Sequence, residues 1–213
     1  MAVSLAFVGL ATFWGVHIYG KDLLLHRARE RVLVEEGVSA TVDAAAKKEV
    51  FKKHTVELKR AAMWGMFLVT TGGGLGLLAF GPICERLGRR RAFLLFHLGG
   101  LIAGLALFQG FASSSDTLMT WLLPLFGLLT LGMHVGYAIY FPELYPTRLR
   151  STGAGFCFNF ARSATAVMLL VNGALQKAGL SFENAASLLS LLFLVGIALL
   201  KWAPETKGTE LPE

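Results

Sequence analysis

Six apolar stretches divide the chain, at residues 3–20, 61–84, 92–111, 118–141, 152–174 and 184–203. A hydrocarbon layer about 30 Å thick takes about 20 helical residues to cross, and each stretch approaches or exceeds that length. Backbone N–H and C=O groups find no water inside hydrocarbon, so each stretch is expected to be helical. The pattern predicts an all-α, polytopic membrane protein with six transmembrane helices packed as a single bundle over residues 1–213. Polar residues gather in the breaks: 21–60, 85–91, 112–117, 142–151, 175–183 and a tail at 204–213. The first break is the longest and holds ten Lys/Arg and seven Asp/Glu. Within it Val42, Ala46, Val50, His54 and Leu58 recur every four residues, with Lys and Glu on the other faces. Gly37-Val38-Ser39 offers a break between two arms, so residues 21–60 are expected to form a helical hairpin outside the membrane.

Composition strengthens this picture. The 213 residues are 54% hydrophobic and 16% charged, whereas soluble domains carry about a quarter charged residues. The formal charge of +6 does not point to nucleic acid, because no basic stripe with interleaved aromatics lies on a polar segment. Basic residues beside membrane spans orient those spans instead. Cys84 and Cys157 lie in or beside apolar runs, which argues against a disulfide framework, and no Cys/His spacing resembles a metal site. No metal, cofactor or catalytic residue is expected, and the chain does not read as an enzyme. The Gly72-Gly73-Gly74-Leu75-Gly76 run has no strand before it and no soluble helix after it, so it is not a dinucleotide loop. The first stretch lacks a basic n-region and a small-residue cleavage site, and it carries Trp14, His17 and Tyr19. It is therefore not read as a signal peptide. It also lacks an upstream charged anchor, which would suit a chain beginning partway through a longer architecture.

Charge asymmetry sets the expected orientation. With residues 85–91, 142–151 and the tail inside, the inner ends collect Arg86, Arg89, Arg90, Arg91, Arg148, Arg150, Lys201 and Lys207. The short outer connections hold only Lys177. This obeys the positive-inside tendency, while the ten basic residues of the outer hairpin run against it. The expectation is an integral protein of the plasma (inner) membrane, with both termini cytoplasmic and residues 21–60 outside. Trp64, Trp121 and Trp202 stand at span ends as interfacial anchors. Gly72/Gly76, Gly100/Gly104 and Gly132/Gly136 are each four apart, the spacing that lets membrane helices approach closely.

Three motifs cluster at the inner ends. The first is Gly81, Glu85, Arg86, Gly88, Arg89 and Arg90. The second is Pro142, Glu143, Pro146, Arg148 and Arg150, followed by Gly153. The third is Pro204-Glu205-Thr206-Lys207-Gly208. The first resembles the G-x-x-x-D-R-x-G-R-R loop of the major facilitator superfamily, with Glu85 for the usual Asp. The second resembles that family's P-E-x-x-P-x-x-x-R-x-x-G pattern, and the third the P-E-T-K-G box of its sugar-porter-like members. The resemblance covers nearly the whole chain but half of the family's architecture. It implies a C-terminal half-bundle whose six spans stand for helices seven to twelve. From the residues alone, carboxylates and guanidinium groups crowded on one face could latch helix ends in one conformation and release them in another. The resemblance likewise implies a gate network, here Glu85, Arg86, Arg89, Arg90, Glu143, Arg148 and Glu205.

Polar groups within a bilayer are costly and usually face the protein interior. His134, Tyr137 and Tyr140 are three apart on the fourth stretch, Asn159 and Arg162 three apart on the fifth, and His17 lies on the first. The resemblance implies a midplane substrate site lined by the first, fourth and fifth spans. The candidate substrate-binding residues are therefore Arg162, His134, Tyr137, Asn159 and His17. Arg162 suits an anion or a carboxylate elsewhere, and histidine titrates near neutrality, so a coupling proton enters as a candidate partner. The function expected is alternating-access transport of a small polar or anionic metabolite, of the sugar or organic-acid class. The chain would act in the lipid bilayer as a partial transporter, completed by an N-terminal half or by self-pairing. The alternative is a non-transporting membrane interaction module acting through the 21–60 hairpin.

Overall fold

The computed structural model describes residues 2–38, 43–110, 116–210 and 212. The expected break at Ser39, the first hairpin repeat position Val42, the end of the third stretch at residue 111 and most of the 112–117 connection lie outside the described residues. The protein is 87% helical, with no strand among the described residues. Six helices are long and apolar enough to cross a membrane: Ala2–Glu35, Thr55–Leu87, Arg89–Gln109, Thr117–Glu143, Thr147–Lys177 and Phe182–Trp202. They are called here the first to sixth spans. The first is the most enclosed. It packs on the fifth and sixth along most of its apolar length and meets the fourth near its middle. The second lies along the fourth, and the third sits between the fourth and the sixth.

The bundle is apolar inside and outside. Leu5, Phe80, Phe96, Phe126 and Phe193 are buried, while Leu78, Ile102, Trp121 and Leu170 are exposed. Lipid offers apolar side chains no preference for the interior, so close backbone packing must draw the helices together. The second and fourth spans show how this is done. A Cβ added at Gly72 would lie 1.9 Å from the Pro124 carbonyl oxygen, and one at Gly76 would lie 2.3 Å from that of Leu128. From the other side, a Cβ at Gly127 would lie 2.0 Å from the Val69 carbonyl oxygen. The two backbones therefore touch along two turns, where any side chain would force them apart. Gly100 instead receives the Phe193 ring, and Gly136 the rings of Phe80 and Phe93.

The first and second spans run past their apolar parts and form a hairpin arm with a short helix at Ala44–Lys53. A small core of Ala28, Val32 and Leu58, backed by Leu25, Val50, Phe51 and Ala61, holds it together. His26 stacks on Phe182 with ring centroids 4.3 Å apart and lies 3.3 Å from Glu183, which ties the arm to the start of the sixth span. Glu36 draws in the hairpin tip, 2.7 Å from Lys53 Nζ and 2.9 Å from His54 Nε2.

At the crossing, Gly72→Ala is expected to lower the unfolding free energy in detergent by about 1–3 kcal/mol, the usual range for overpacking a close contact. Gly74, with open space where its Cβ would be, supplies the control, and Gly74→Ala should change stability by less than about 0.5 kcal/mol. Equal effects would remove the crossing as a source of stability. The hairpin tip carries a pH signature. The hydrogen bond to Glu36 raises the His54 pKa, and the hydrogen bond to His54 lowers that of Glu36. The His54 contribution is present below the imidazole's unfolded pKa and lost as pH rises through the higher folded value. The Glu36 contribution is lost as pH falls through its depressed folded value. Hydrogen-exchange protection of Ala44–Lys53 should therefore drop as pH climbs past the ordinary imidazole range, and His54→Gln should abolish that pH dependence. An unaltered pH profile in the variant would exclude His54 as its source.

Candidate functional site

Two groups of polar residues stand apart from the apolar packing. The first lies at the end of the bundle where the second span turns into the third. Gly88 makes this turn with φ +89°, and a Cβ there would lie 2.7 Å from a Glu205 carboxylate oxygen. Both the left-handed backbone and the close approach require glycine. The turn presents the first N–H groups of the third span to Glu205. Arg89 N–H donates to one carboxylate oxygen at 2.8 Å and Arg90 N–H to the other at 3.1 Å, while Lys207 N–H adds a third bond at 3.1 Å. A carboxylate at a helix N-terminus satisfies orphan donors and meets the positive end of the helix dipole. Burial raises the Glu205 pKa, but the backbone donors outweigh it and the net direction is down, so the group is held as the anion.

Arg89 then reaches the end of the fourth span. Its Nη2 and Nε donate to the two Glu143 oxygens at 2.5 and 3.0 Å, and both side chains are only 15% exposed. Thr206 Oγ1 donates to the same Glu143 carboxylate at 2.6 Å. Tyr140, one turn before Glu143, donates its hydroxyl to the Pro204 carbonyl at 2.6 Å, and Lys207 Nζ donates to the Arg86 carbonyl at 2.8 Å. The segment after the sixth span thus buckles together the ends of the second, third and fourth. Of the expected gate residues, Arg89, Glu143 and Glu205 meet directly. Glu205 binds the backbone N–H groups of Arg89 and Arg90 rather than a guanidinium, and Arg86 takes part through its carbonyl. The side chains of Glu85, Arg90 and Arg148 make no hydrogen bond or ion pair among the described residues. Sequence spacing does not single out Thr206 or Tyr140 for this cluster. The signal available was their position beside Glu205 and Glu143.

The second group lies within the spans. The first span widens into a π-helical turn at Phe13–His17, where Thr12 Oγ1 lies 3.0 Å from the Val8 carbonyl and 2.9 Å from that of Gly9. Such turns often occur where a side chain must be aimed. Here the Phe13 ring lies between two imidazoles, with centroids 4.5 Å from both His17 and His134. The Thr130 hydroxyl donates to the Phe126 carbonyl at 2.8 Å, so it accepts from His17 Nδ1 at 2.9 Å. His134 Nδ1 donates to the Leu131 carbonyl at 3.2 Å. Both rings are thereby assigned as Nδ1–H tautomers with Nε2 left as an acceptor. The His134 Nε2 and the Tyr137 hydroxyl are buried without a partner. Both residues line a cavity of about 190 Å³ with Phe141, Ala154 and Phe158.

His17, His134 and Tyr137 are therefore joined by one aromatic cluster. Arg162 and Asn159 are not part of it. Both are exposed on the fifth span, and Asn159 spends an amide N–H on the Gly155 carbonyl at 2.8 Å. Arg162 lies one turn beyond Phe158 on the stripe that includes Ala154, and its side chain makes no hydrogen bond or ion pair among the described residues. Thr130 sits in an apolar run and was not legible as the partner that fixes His17. His97 was not singled out either. It is wholly buried beside Gly196, between the third and sixth spans, with Nδ1 on the Phe93 carbonyl at 2.8 Å and Nε2 unpartnered. Cys84 and Cys157 are buried free thiols. No group of three His, Cys, Asp or Glu side chains that could hold a metal occurs among the described residues.

The chain matches no protein-family model. It is 30% identical over 155 residues to a Haemophilus influenzae protein named for metabolite transport, a match covering 72% of this chain and 37% of that protein. It is 34% identical over 149 residues to a Bacillus subtilis protein, NiaP, named for niacin/nicotinamide transport, covering 68% of this chain and 36% of the relative. An Escherichia coli inner membrane metabolite transport protein, YhjE, is 26% identical over 104 residues, covering 48% of this chain and 24% of its own length. These matches span about a third of the first two relatives. With six apolar helices, they make the chain an integral membrane protein similar to proteins named for small-metabolite transport.

Proposed function

We propose that the chain is the C-terminal half-bundle of a major facilitator superfamily transporter, sugar-porter-like at its inner motifs, which moves a small polar or anionic metabolite by alternating access. The bracket formed by Arg89, Glu143, Thr206 and Glu205 carries this reading. It joins three helix ends through a few charge-assisted hydrogen bonds, which are strong when aligned and lost together when the ends separate. That is the behaviour required of a latch between two conformations. The matches to about a third of the metabolite transport proteins support a unit that works with a second half, or with another copy of itself, across a central site.

In this reading the His17–Phe13–His134 cluster and Tyr137 form the floor of the substrate site, and Arg162 stands at its rim. Aromatic faces and a guanidinium would suit a planar heteroaromatic acid, and the imidazole acceptors would suit the N–H groups of its amide. Nicotinate is thus the first substrate to test, given the name of the Bacillus subtilis relative. His134 is the candidate for a coupling proton, because it lines the cavity and its Nε2 has no hydrogen-bond partner among the described residues. Both termini and the bracket lie on the cytoplasmic side of the plasma membrane, and the hairpin lies outside.

Uptake of labelled nicotinate and of small organic acids into proteoliposomes, with this chain joined to a six-helix first half, tests the proposal. Arg162→Ala should reduce uptake at least tenfold, the loss of about 1.4 kcal/mol that one charge-assisted contact supplies. Arg89→Ala should slow turnover while the protein still inserts. Wild-type kinetics in both variants would reject these roles, and absence of uptake for every acid and amide tried would reject the substrate class. For orientation, Ala45→Cys should react with an impermeant thiol reagent from outside intact cells, since Cys84 and Cys157 are buried. Labelling confined to inverted vesicles would reverse the assignment.

A further inference from the structure

Behind the bracket lies a basin of about 720 Å³, open toward the outside of the bundle. Its lining carries five cations, Arg86, Arg90, Arg91, Lys201 and Lys207, and a single carboxylate, Glu205. That carboxylate is already committed to the N–H groups of Arg89, Arg90 and Lys207. The Lys207 ammonium spends one donor on the Arg86 carbonyl. The side chains of Arg86, Arg90, Arg91 and Lys201 make no hydrogen bond or ion pair among the described residues. Four cations therefore converge on one hollow whose lining, among the described residues, holds no carboxylate other than the engaged Glu205. Like charges facing one hollow repel one another unless an anion or solvent screens them.

The wall of the basin identifies the kind of anion. Leu94 of the third span and Ile197 of the sixth line it alongside the charges, and Leu94 is 41% exposed on the outer surface of the bundle. The hollow thus begins in the seam between two spans and ends in a ring of cations one helical turn further on. A phospholipid has this arrangement: acyl chains beside the apolar seam and a phosphate at the depth of the span ends. Basic hollows between helix ends at a membrane surface attract anionic headgroups for this reason. A soluble phosphate would use the cations and leave the apolar wall bare.

We propose that this basin is a binding site for the headgroup of an anionic phospholipid, which bridges the turn between the second and third spans to the end of the sixth. The bound phosphate neutralises Arg90, Arg91 and Lys201 beside the bracket and so steadies the latched arrangement of the same helix ends. The lipid site goes beyond the transport reading and needs only that the chain spans a bilayer, while its effect on the bracket rests on the latch of that reading.

Native mass spectrometry of the whole chain in mild detergent, titrated with phosphatidylglycerol or with phosphatidylcholine of the same acyl chains, provides the test. Phosphatidylglycerol should bind at least about tenfold more tightly, since each cation near a membrane surface contributes about fivefold. Arg91→Gln with Lys201→Gln, two exposed residues outside the bracket, should weaken phosphatidylglycerol about tenfold or more and leave phosphatidylcholine unchanged. Lys52→Gln with Lys53→Gln on the hairpin removes the same charge elsewhere and should leave both lipids unchanged. Equal binding of the two lipids by the unaltered chain would overturn the proposal, whatever the variants do. So would phosphatidylglycerol binding that survives the double substitution, or competition by inorganic phosphate at the lipid's own concentration, which would make this a soluble-anion site.

Discussion

Hydrocarbon cannot hydrogen-bond, and the structure follows from that constraint. Every span must close its backbone bonds within itself, which leaves helices as the element throughout the described residues. The same solvent removes the usual reward for burying apolar side chains. Leu78 and Leu170 can face outward as comfortably as Phe80 faces inward. Association then depends on close packing, and glycines provide it where the Gly72–Gly76 face meets Gly127 and Pro124. A polar group in this medium needs a partner or a purpose. Most polar groups in the spans have local partners, as Thr130 does on the Phe126 carbonyl and Asn159 on that of Gly155. Among the buried atoms left without one are His97 Nε2, between the third and sixth spans, and His134 Nε2 and the Tyr137 hydroxyl, whose residues line one cavity.

The helix ends follow different rules because water and headgroups reach them. An exposed ion pair in water contributes about 0–1 kcal/mol. The Arg89–Glu143 pair differs in being bidentate and 15% exposed on each side, with Thr206 completing the carboxylate's bonds. In the proposed latch, this pair is the contact that would hold the helix ends together and, being partly open to solvent, be released. Glu205 adds a separate device. It neutralises the start of the third span through backbone N–H groups and leaves neighbouring guanidinium charges unmatched. The proposed latch and the proposed lipid basin are thus two sides of one carboxylate.

The fold class was legible because solvent imposes it uniformly: six apolar runs with charged breaks admit few other readings. Helix ends were less legible. The first and second spans continue as helix well past their apolar parts, to Glu35 and back to Thr55, because the hairpin's own small core stabilises turns that hydropathy does not register. The charged cluster was visible as composition but not as wiring. Nothing in the spacing shows that Glu205 would choose backbone N–H groups over a guanidinium. That choice depends on the φ of Gly88 and on how the tail returns. Within the spans, His17, His134 and Tyr137 were visible as costly polar groups. The joining of the two imidazoles through Phe13 was not, because it depends on a π-helical turn that shifts helical register without leaving a mark in periodicity. Arg162 and Asn159 were equally visible, yet lie on an exposed face, since sequence gives a residue's place on its own helix but not what that face meets.

If the bracket at Arg89 and Glu143 holds one of two arrangements of the helix ends, its loss should populate the other. Spin labels at Leu87 and Leu149, both exposed beside the bracket, allow the distance distribution to be measured by double electron–electron resonance in lipid nanodiscs. One dominant distance is expected in the unaltered protein, and a second, resolved population when Arg89→Gln opens the bracket. Identical single-peaked distributions in the two proteins would contradict it.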